Sequence, residues 1–253
     1  MALPKNQHEQ YVYGIHSVKS LLLHTQRLTQ KIWINSDRCD HKIQELEELA
    51  YTLKIAVKKV PAITMKQLFG EYAHQGVVAM TNALPSWNEQ DLQSLLDDSK
   101  QPCVILILDG ITDPHNLGAC LRNADAAGVD FVIIPKDKNA QLTPVVSKIA
   151  CGAVECIPVV VVTNLARTIE LLKQSGVWIF GADSEATAVL YAMDFSVNTA
   201  IVVGGEGIGL RRLTSAKCDK LFALPMLGSV ASLNVSVATG VILYEIIRQR
   251  IKY

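Results

Sequence analysis

From residue 103 onward, short apolar runs alternate with helical patterns, and few architectures accept that rhythm. The runs at 103–108, 131–134, 157–162, 177–180, 200–203 and 220–224 are apolar or nearly so, as strands buried on both faces are. Between them lie helical stretches at 116–128 and 164–175, and a last one of about 20 residues at 233–252. Thr143 followed by Pro144 reads as an N-cap and first-turn proline, while Gly128 and Gly176 stand where helices stop. Alternating strand–helix units call for an α/β fold, a mostly parallel sheet covered by helices on both faces.

The first 84 residues read as a smaller α/β module. Helical patterns at 14–26, 41–53 and 64–69 alternate with strands at 31–34, 55–60 and 76–80; Ile15, Val18, Leu21 and Leu22 share one face of the first helix. This gives a small domain at 11–82, a linker at 83–102, partly helical around 92–96, and a large domain at 103–253. Net charge is zero overall, yet its distribution is uneven. Residues 1–84 hold ten Lys/Arg against seven Asp/Glu, residues 85–102 one against four, and the remainder thirteen of each. The small basic excess of the first module permits an RNA partner without requiring one.

Apolar residues make up 49% of the 253, enough for a buried core and too many for a disordered chain. The longest apolar runs fall well short of the roughly 20 residues that span a bilayer, and residues 1–8 lack the apolar centre of a signal peptide. The six cysteines form no Cys-x-x-Cys pair. They are expected to be buried thiols of a cytoplasmic protein, with no metal site and no membrane partner.

Three motifs sit where apolar runs end. The first is Asp113-Pro-His-Asn-Leu-Gly-Ala-Cys-Leu-Arg-Asn-Ala124. Asn116 can cap a helix there, and Arg122 lies one and a half turns further, about 9 Å along the axis and off Asn116's face. A surface ion pair of Arg122 with Asp125 or Asp130 is the plain alternative. The second motif, Gly204-Gly-Glu-Gly-Ile-Gly209, matches neither a dinucleotide fingerprint nor a P-loop, and Glu206 would repel a phosphate. A neutral or cationic ligand suits it, unless the glycines serve only a tight turn. The third runs from Leu224 to Gly240 and crowds Ser229, Ser232, Asn234 and Ser236 before an apolar helix. Ser232 as N-cap explains one of these and not four, so the cluster reads as a binding loop. Gly240 costs up to about 1 kcal/mol inside a helix, which suggests that another backbone passes close by.

These three motifs, in this order and spacing, resemble those of the SpoU (TrmH-type) RNA ribose 2′-O-methyltransferases of the SPOUT superfamily. The first module, through His74-Gln-Gly76, is similar to the small RNA substrate-binding domain joined to many of them. The resemblance implies a C-terminal trefoil knot that holds S-adenosyl-L-methionine, largely through backbone groups at Gly204, Leu224, Met226 and Leu233. It implies close backbone approach at Gly204, Gly205, Gly209, Gly228 and Gly240, and a homodimer whose active site draws on both subunits. Val237, Val241, Tyr244 and Ile247 then form either the dimer face of the last helix or a core stripe.

The resemblance also implies roles. Arg122 clamps the target phosphate and stabilises the developing alkoxide, or else acts as the base; a guanidinium stays protonated to about pH 12 or above, which favours the clamp. Asn116 orients Arg122 or the ribose, Glu206 sets that network, and Ser232 and Asn234 hydrogen-bond substrate or cofactor. The nearest branch of the family methylates a guanosine ribose of 23S ribosomal RNA, free or within a ribosome precursor. A ribose methyltransferase for tRNA or another rRNA site, and a non-catalytic RNA-binding assembly factor, are the alternatives.

Overall fold

The computed structural model of the protein describes residues 9–24, 29–70, 74–207 and 209–251. The reading of residues 1–8, the expected end of the first helix at Gln26, Ile208 in the glycine motif and the expected helix end at Lys252 lie outside them. The chain divides into two units, residues 1–85 with 143–156, and residues 86–142 with 157–253.

The first unit carries strands β1 (Glu9–Tyr13), β2 (Thr29–Asn35), β3 (Ala56–Val60) and β4 (Val77–Asn82), and helices α1 (Ile15–His24), α2 (His41–Thr52) and α3 (Ala62–Phe69). They form a sheet ordered β1-β4-β2-β3, parallel only between β2 and β3. Alternation along the strands sorts the side chains onto two faces. Val12, Ile32, Ile34, Val77 and Ala79 meet Val18, Leu21, Ile43 and Leu46 of α1 and α2. Trp33 and Val78 meet Met65 and Phe69 of α3 on the other face. Strand β1 was not expected. Its five residues, with Tyr11 and Tyr13 flanking Val12, are held by pairing with β4 rather than by a long apolar run.

The second unit begins earlier than the sequence suggests. Within the stretch read as a linker, β5 (Trp87–Asn88) pairs with a strand of the large sheet, and α4 (Leu92–Asp98) buries Leu92 and Leu95. Helix α4 stands where the sequence places helical character, around 92–96, while the polar neighbours of Trp87 hid β5. There follow β6 (Val104–Asp109), α5 (Pro114–Ala126) and β7 (Phe131–Pro135). Helix α6 (Pro144–Ile149) groups with the first unit. The second unit then continues through β8 (Val159–Val162), α7 (Leu165–Gln174), β9 (Trp178–Ala182), β10 (Thr199–Gly204), α8 (Arg212–Ser215), β11 (Lys220–Phe222) and α9 (Val235–Arg250).

Its seven strands run in the order β11-β9-β10-β6-β7-β8-β5, and every pairing is parallel. The continuous apolar runs are explained by burial on both faces. Ile105, Ile107, Phe131, Ile133 and Val202 pack with Leu165, Ile169 and Leu172 of α7 and Leu92 of α4. The alternate residues Leu106, Leu108, Val132 and Ile201 are fully buried too, on the side of α5 and α9.

Capping follows the expected chemistry with two corrections. Thr143 caps α6 by accepting from Val146 N–H, and Asn164 caps α7 from Arg167 N–H. Asp113, not Asn116, caps α5: its carboxylate accepts from His115 N–H, and Pro114 fills the first helical position. That frees the Asn116 side chain from the backbone. Likewise Asn234, not Ser232, caps α9. The expected burial of the cysteines holds only for Cys103 and Cys120; Cys39 and Cys156 are exposed. No helix among the described residues is long and apolar enough to cross a membrane.

Candidate functional site

Parallel pairing brings the C-terminal ends of β6, β9, β10 and β11 to one edge of the sheet, the edge where open α/β sheets bind ligands. Gly204, at the end of β10, stands in register with Asp109 at the end of β6. Beyond Gly204 the chain turns back on itself, closed by Gly209 N–H donating to the Gly205 carbonyl at 2.9 Å. Gly207 and Gly209 take φ of +78° and +66°, conformations that side chains resist.

The expected close approaches hold in two places. A Cβ on Gly204 would lie 2.1 Å from the Gly209 carbonyl, and one on Gly205 would lie 2.3 Å from the Gly110 oxygen. Elsewhere the reason differs. Among the described residues a Cβ on Gly209 meets nothing within 4 Å, so its dihedral alone requires the glycine, and a Cβ on Gly228 likewise meets nothing. At Gly240 the neighbour is the side-chain amide of Asn123, 3.3 Å away, and not another backbone. Asn123 Nδ2 donates to the Ser236 carbonyl at 2.7 Å, so α5 and α9 pack closely through an amide that seats on a glycine.

Over the glycine turn lies a cavity of about 610 Å³. One wall is the turn itself, and the opposite wall is the segment that carries Leu224, Met226, Ser232, Leu233 and Asn234. A third side is made by Asp183, Ser184 and Glu185 after β9. All four residues expected to hold a cofactor, Gly204, Leu224, Met226 and Leu233, line this one space, as do Glu206, Ser232 and Asn234. Among the described residues its charged lining consists of the carboxylates Asp183, Glu185 and Glu206, with no Lys or Arg. Such a wall repels phosphate and favours a cationic ligand.

The three motifs meet on a single side chain. Asn234 Nδ2 donates to Asn116 Oδ1 at 2.9 Å and to Glu206 Oε1 at 2.7 Å. Asn234 Oδ1 accepts from Ser236 N–H at 3.0 Å and from Ser236 Oγ at 2.6 Å. A primary amide offers two donors and two lone pairs, so every one of its positions is used and its orientation is fixed. Directly behind, Cys120 lies 3.5 Å from Thr239 Oγ1, and burial pushes its thiol up to about 11, which leaves it inert.

Arg122 stands apart. It is exposed on α5 and is absent from the lining of its own chain's cavity. The plain alternative of an ion pair fails, because Arg122 makes none with any described residue, and Asp130 instead accepts from the backbone N–H groups of Lys100 and Val104. Sequence reasoning missed Asp183 and Glu185. An acidic pair just beyond an apolar run is the signal that could have found them. It also missed Asp109, which ends β6 with 1% of its surface exposed.

Comparison with known proteins gives the family of both parts of the chain. Residues 103–244 match the family described as SpoU rRNA Methylase, and residues 11–87 match the one described as RNA 2′-O ribose methyltransferase substrate binding. The chain is 52% identical over 239 residues to the 23S rRNA (guanosine-2′-O-)-methyltransferase RlmB of Pseudomonas syringae pv. tomato, covering 94% of this chain and 95% of that one. It is 48% identical to the enzyme of the same name from Haemophilus influenzae, covering 95% and 98%. The crystal structure of the SpoU methyltransferase AviRb from Streptomyces viridochromogenes superposes with a TM-score of 0.80 at 23% identity, over 96% of this chain and 90% of that one. Its complex with the cofactor AdoMet gives 0.79 at 22% identity, over 96% and 91%.

Proposed function

Because the chain belongs to the SpoU rRNA Methylase family, we propose that it transfers a methyl group from S-adenosyl-L-methionine to the ribose 2′-hydroxyl of a guanosine in 23S ribosomal RNA. The observation that carries this reading is the meeting of Asn116, Glu206 and Asn234 at the rim of a carboxylate-lined cavity beside a glycine turn. The RlmB relatives favour 23S rRNA over tRNA as the substrate.

The residues present fit the methyl donor. Without a Cβ at Gly204 and Gly205 the turn packs tightly on Gly209 and Gly110 and presents backbone to the cavity, and the carboxylates suit a ligand bearing a positive charge. Gly204, Leu224, Met226 and Leu233 would hold it. When bound, S-adenosyl-L-methionine supplies a methyl carbon already activated by its sulfonium. The chain must place a ribose oxygen in line with that carbon and stabilise the charge that develops there. Asn234 occupies the Asn116 carbonyl oxygen, which leaves the Asn116 N–H groups to face the ribose. Glu206 holds Asn234 from the other side, and the Ser232 hydroxyl lies within the same lining.

A guanidinium carries a planar fork of donors that matches phosphate oxygens, so Arg122 serves as a clamp on the target phosphate and on the developing alkoxide. Its place outside its own cavity suits a homodimer in which it serves the cavity of a second copy. The outer face of α9 supports that arrangement. Val237 and Tyr244 are 51% and 55% exposed, while the core side of the helix is Val235, Thr239, Ile242 and Ile246. Residues 11–82 bind the RNA in this reading, and residues 103–253 carry the transfer.

The test is methylation of ribosomal RNA lacking the modification, using methyl-labelled cofactor and mapping of the labelled nucleotide. Label on one guanosine ribose of 23S rRNA is the expected result. Label on a base, or on tRNA alone, would overturn it.

A further inference from the structure

Asp109 is a carboxylate in the sheet's interior, at the end of β6, with a relative side-chain exposure of zero. Burying a carboxylate is costly unless it is paired and hydrogen-bonded, and no role given so far uses this one. Its Oδ2 accepts from Thr214 Oγ1 at 2.7 Å. Its Oδ1 lies 3.3 Å from a guanidinium nitrogen of Arg211 and has no hydrogen-bond partner among the described residues. Its backbone carbonyl accepts from Gly205 N–H at 3.0 Å. Asp109 thus touches the glycine turn at its start through its backbone, and at its exit through the Arg211 side chain.

Arg211 reaches further. Its Nη2 donates to the Lys138 carbonyl at 3.2 Å, and Lys138 sits at φ +57°, an uncommon conformation for a residue with a side chain. The guanidinium also covers Gly110, where a Cβ would meet Nη2 at 3.3 Å and φ is +83°. The Gly110 turn is bound to the same loop on its other side, with Ile111 N–H donating to Asn139 Oδ1 at 2.7 Å and Ala140 N–H to the Ile111 carbonyl at 2.7 Å. One guanidinium therefore ties three backbone segments, those around 110, 138 and 205–211, to one buried charge.

We propose that Asp109 and Arg211 are a positioning pair that fixes the Gly204–Gly209 turn, and through it Glu206, in the conformation that receives the methyl donor. The inference rests on the reading of the cavity as the methyl-donor site. Neither side chain is part of the cavity lining, so neither touches the ligand. Their effect is on where the turn stands before the ligand arrives, since a site loses affinity when its supporting contacts no longer pre-organise it.

The experiment compares the wild-type full chain with Asp109→Asn, Arg211→Gln and Arg211→Lys. Binding of S-adenosylhomocysteine is followed by calorimetry, and methylation of 23S rRNA by steady-state kinetics, well below each variant's melting temperature. The expected result is a rise of about tenfold in KM for the methyl donor and in Kd for S-adenosylhomocysteine, with kcat within about twofold. Arg211→Lys, which keeps the charge, should recover part of the affinity. A purely architectural pair would lower the melting temperature and leave KM and Kd unmoved; that outcome, in Arg211→Gln alone if Asp109→Asn does not fold, would overturn the proposal. Absence of binding and transfer by the wild-type chain would instead refute the underlying reading of the cavity.

Discussion

The amide nitrogen of Asn234 lies 2.7 Å from the carboxylate of Glu206, although the two residues come from different motifs. The same side chain caps α9, so a simple truncation would mix two effects. Asn234→Ser separates them. A serine can still accept from the Ser236 N–H, which keeps most of the cap's worth of about 1 kcal/mol, but it cannot donate to Asn116 and Glu206 together. Melting temperature close to wild type, with methyl transfer lowered about a hundredfold, is the expected pair of readings.

Arg122→Ala should likewise lose activity without losing stability. The side chain is exposed and unpaired among the described residues, so its loss should change stability by no more than about 0.5 kcal/mol. Methyl transfer should fall by at least about a hundredfold while S-adenosylhomocysteine binds as before. Normal turnover by this variant would remove Arg122 from the mechanism.

Gly204→Ala places a methyl group 2.1 Å from the Gly209 carbonyl. The obstacle is backbone and cannot rotate away, so the turn must open. We expect a destabilisation of about 2 kcal/mol or more and loss of calorimetric binding of S-adenosylhomocysteine. Gly228→Ala is the control, since no described residue lies within 4 Å of its added carbon.

Arg250, near the end of α9, donates to four carbonyls: those of Phe195, Pro102, Cys103 and Val197, at 2.9, 2.6, 3.2 and 2.7 Å. Arg250→Ala leaves the part-buried Phe195 carbonyl without a partner among the described residues, while Thr199 still donates to the Cys103 and Val197 carbonyls, and should lower stability by about 1–3 kcal/mol in urea denaturation. S-adenosylhomocysteine affinity, measured below the melting temperature, should be unchanged.

Acid should loosen the start of the second unit. Glu89 accepts from Thr163 Oγ1 and from the N–H groups of Thr163 and Asn164 at 2.8, 2.7 and 3.1 Å. The Thr163 hydroxyl bond, and then the two backbone bonds, hold its carboxyl below the ordinary value of 4.5. A carboxyl depressed in the folded state stabilises the fold fully above its unfolded value, and loses that contribution as pH falls through the lower folded value. Stability measured by denaturation from pH 5 downward should therefore fall less steeply in Glu89→Gln than in the wild type.

Much of the large sheet was legible because burial on both faces writes itself as unbroken apolar runs, as in 104–108 and 159–162. The two-residue strand β5 left no such trace, since pairing with β8 holds it and its neighbours are polar. At the site, the side chains that break a local rule could be read directly. Four polar residues before α9, and a glutamate among glycines, have no role in a core. Asp109 escaped notice because it ends a strand as any polar residue does, and only the register of β10 beside β6 shows it buried. The caps of α5 and α9 were misplaced by one choice each. Asp113 and Asn234 compete with Asn116 and Ser232 for the same duty, and helix entry geometry decides among them.

Asn116 and the residue that binds it are 118 positions apart, and Glu206 is 28 from that same partner. A growing chain that has just released Glu206 therefore owns two thirds of a constellation with nothing to join it. The segment from Leu224 to Asn234 also supplies a wall of the cavity, so both the donor site and the amide junction are completed only when the C-terminal segment docks.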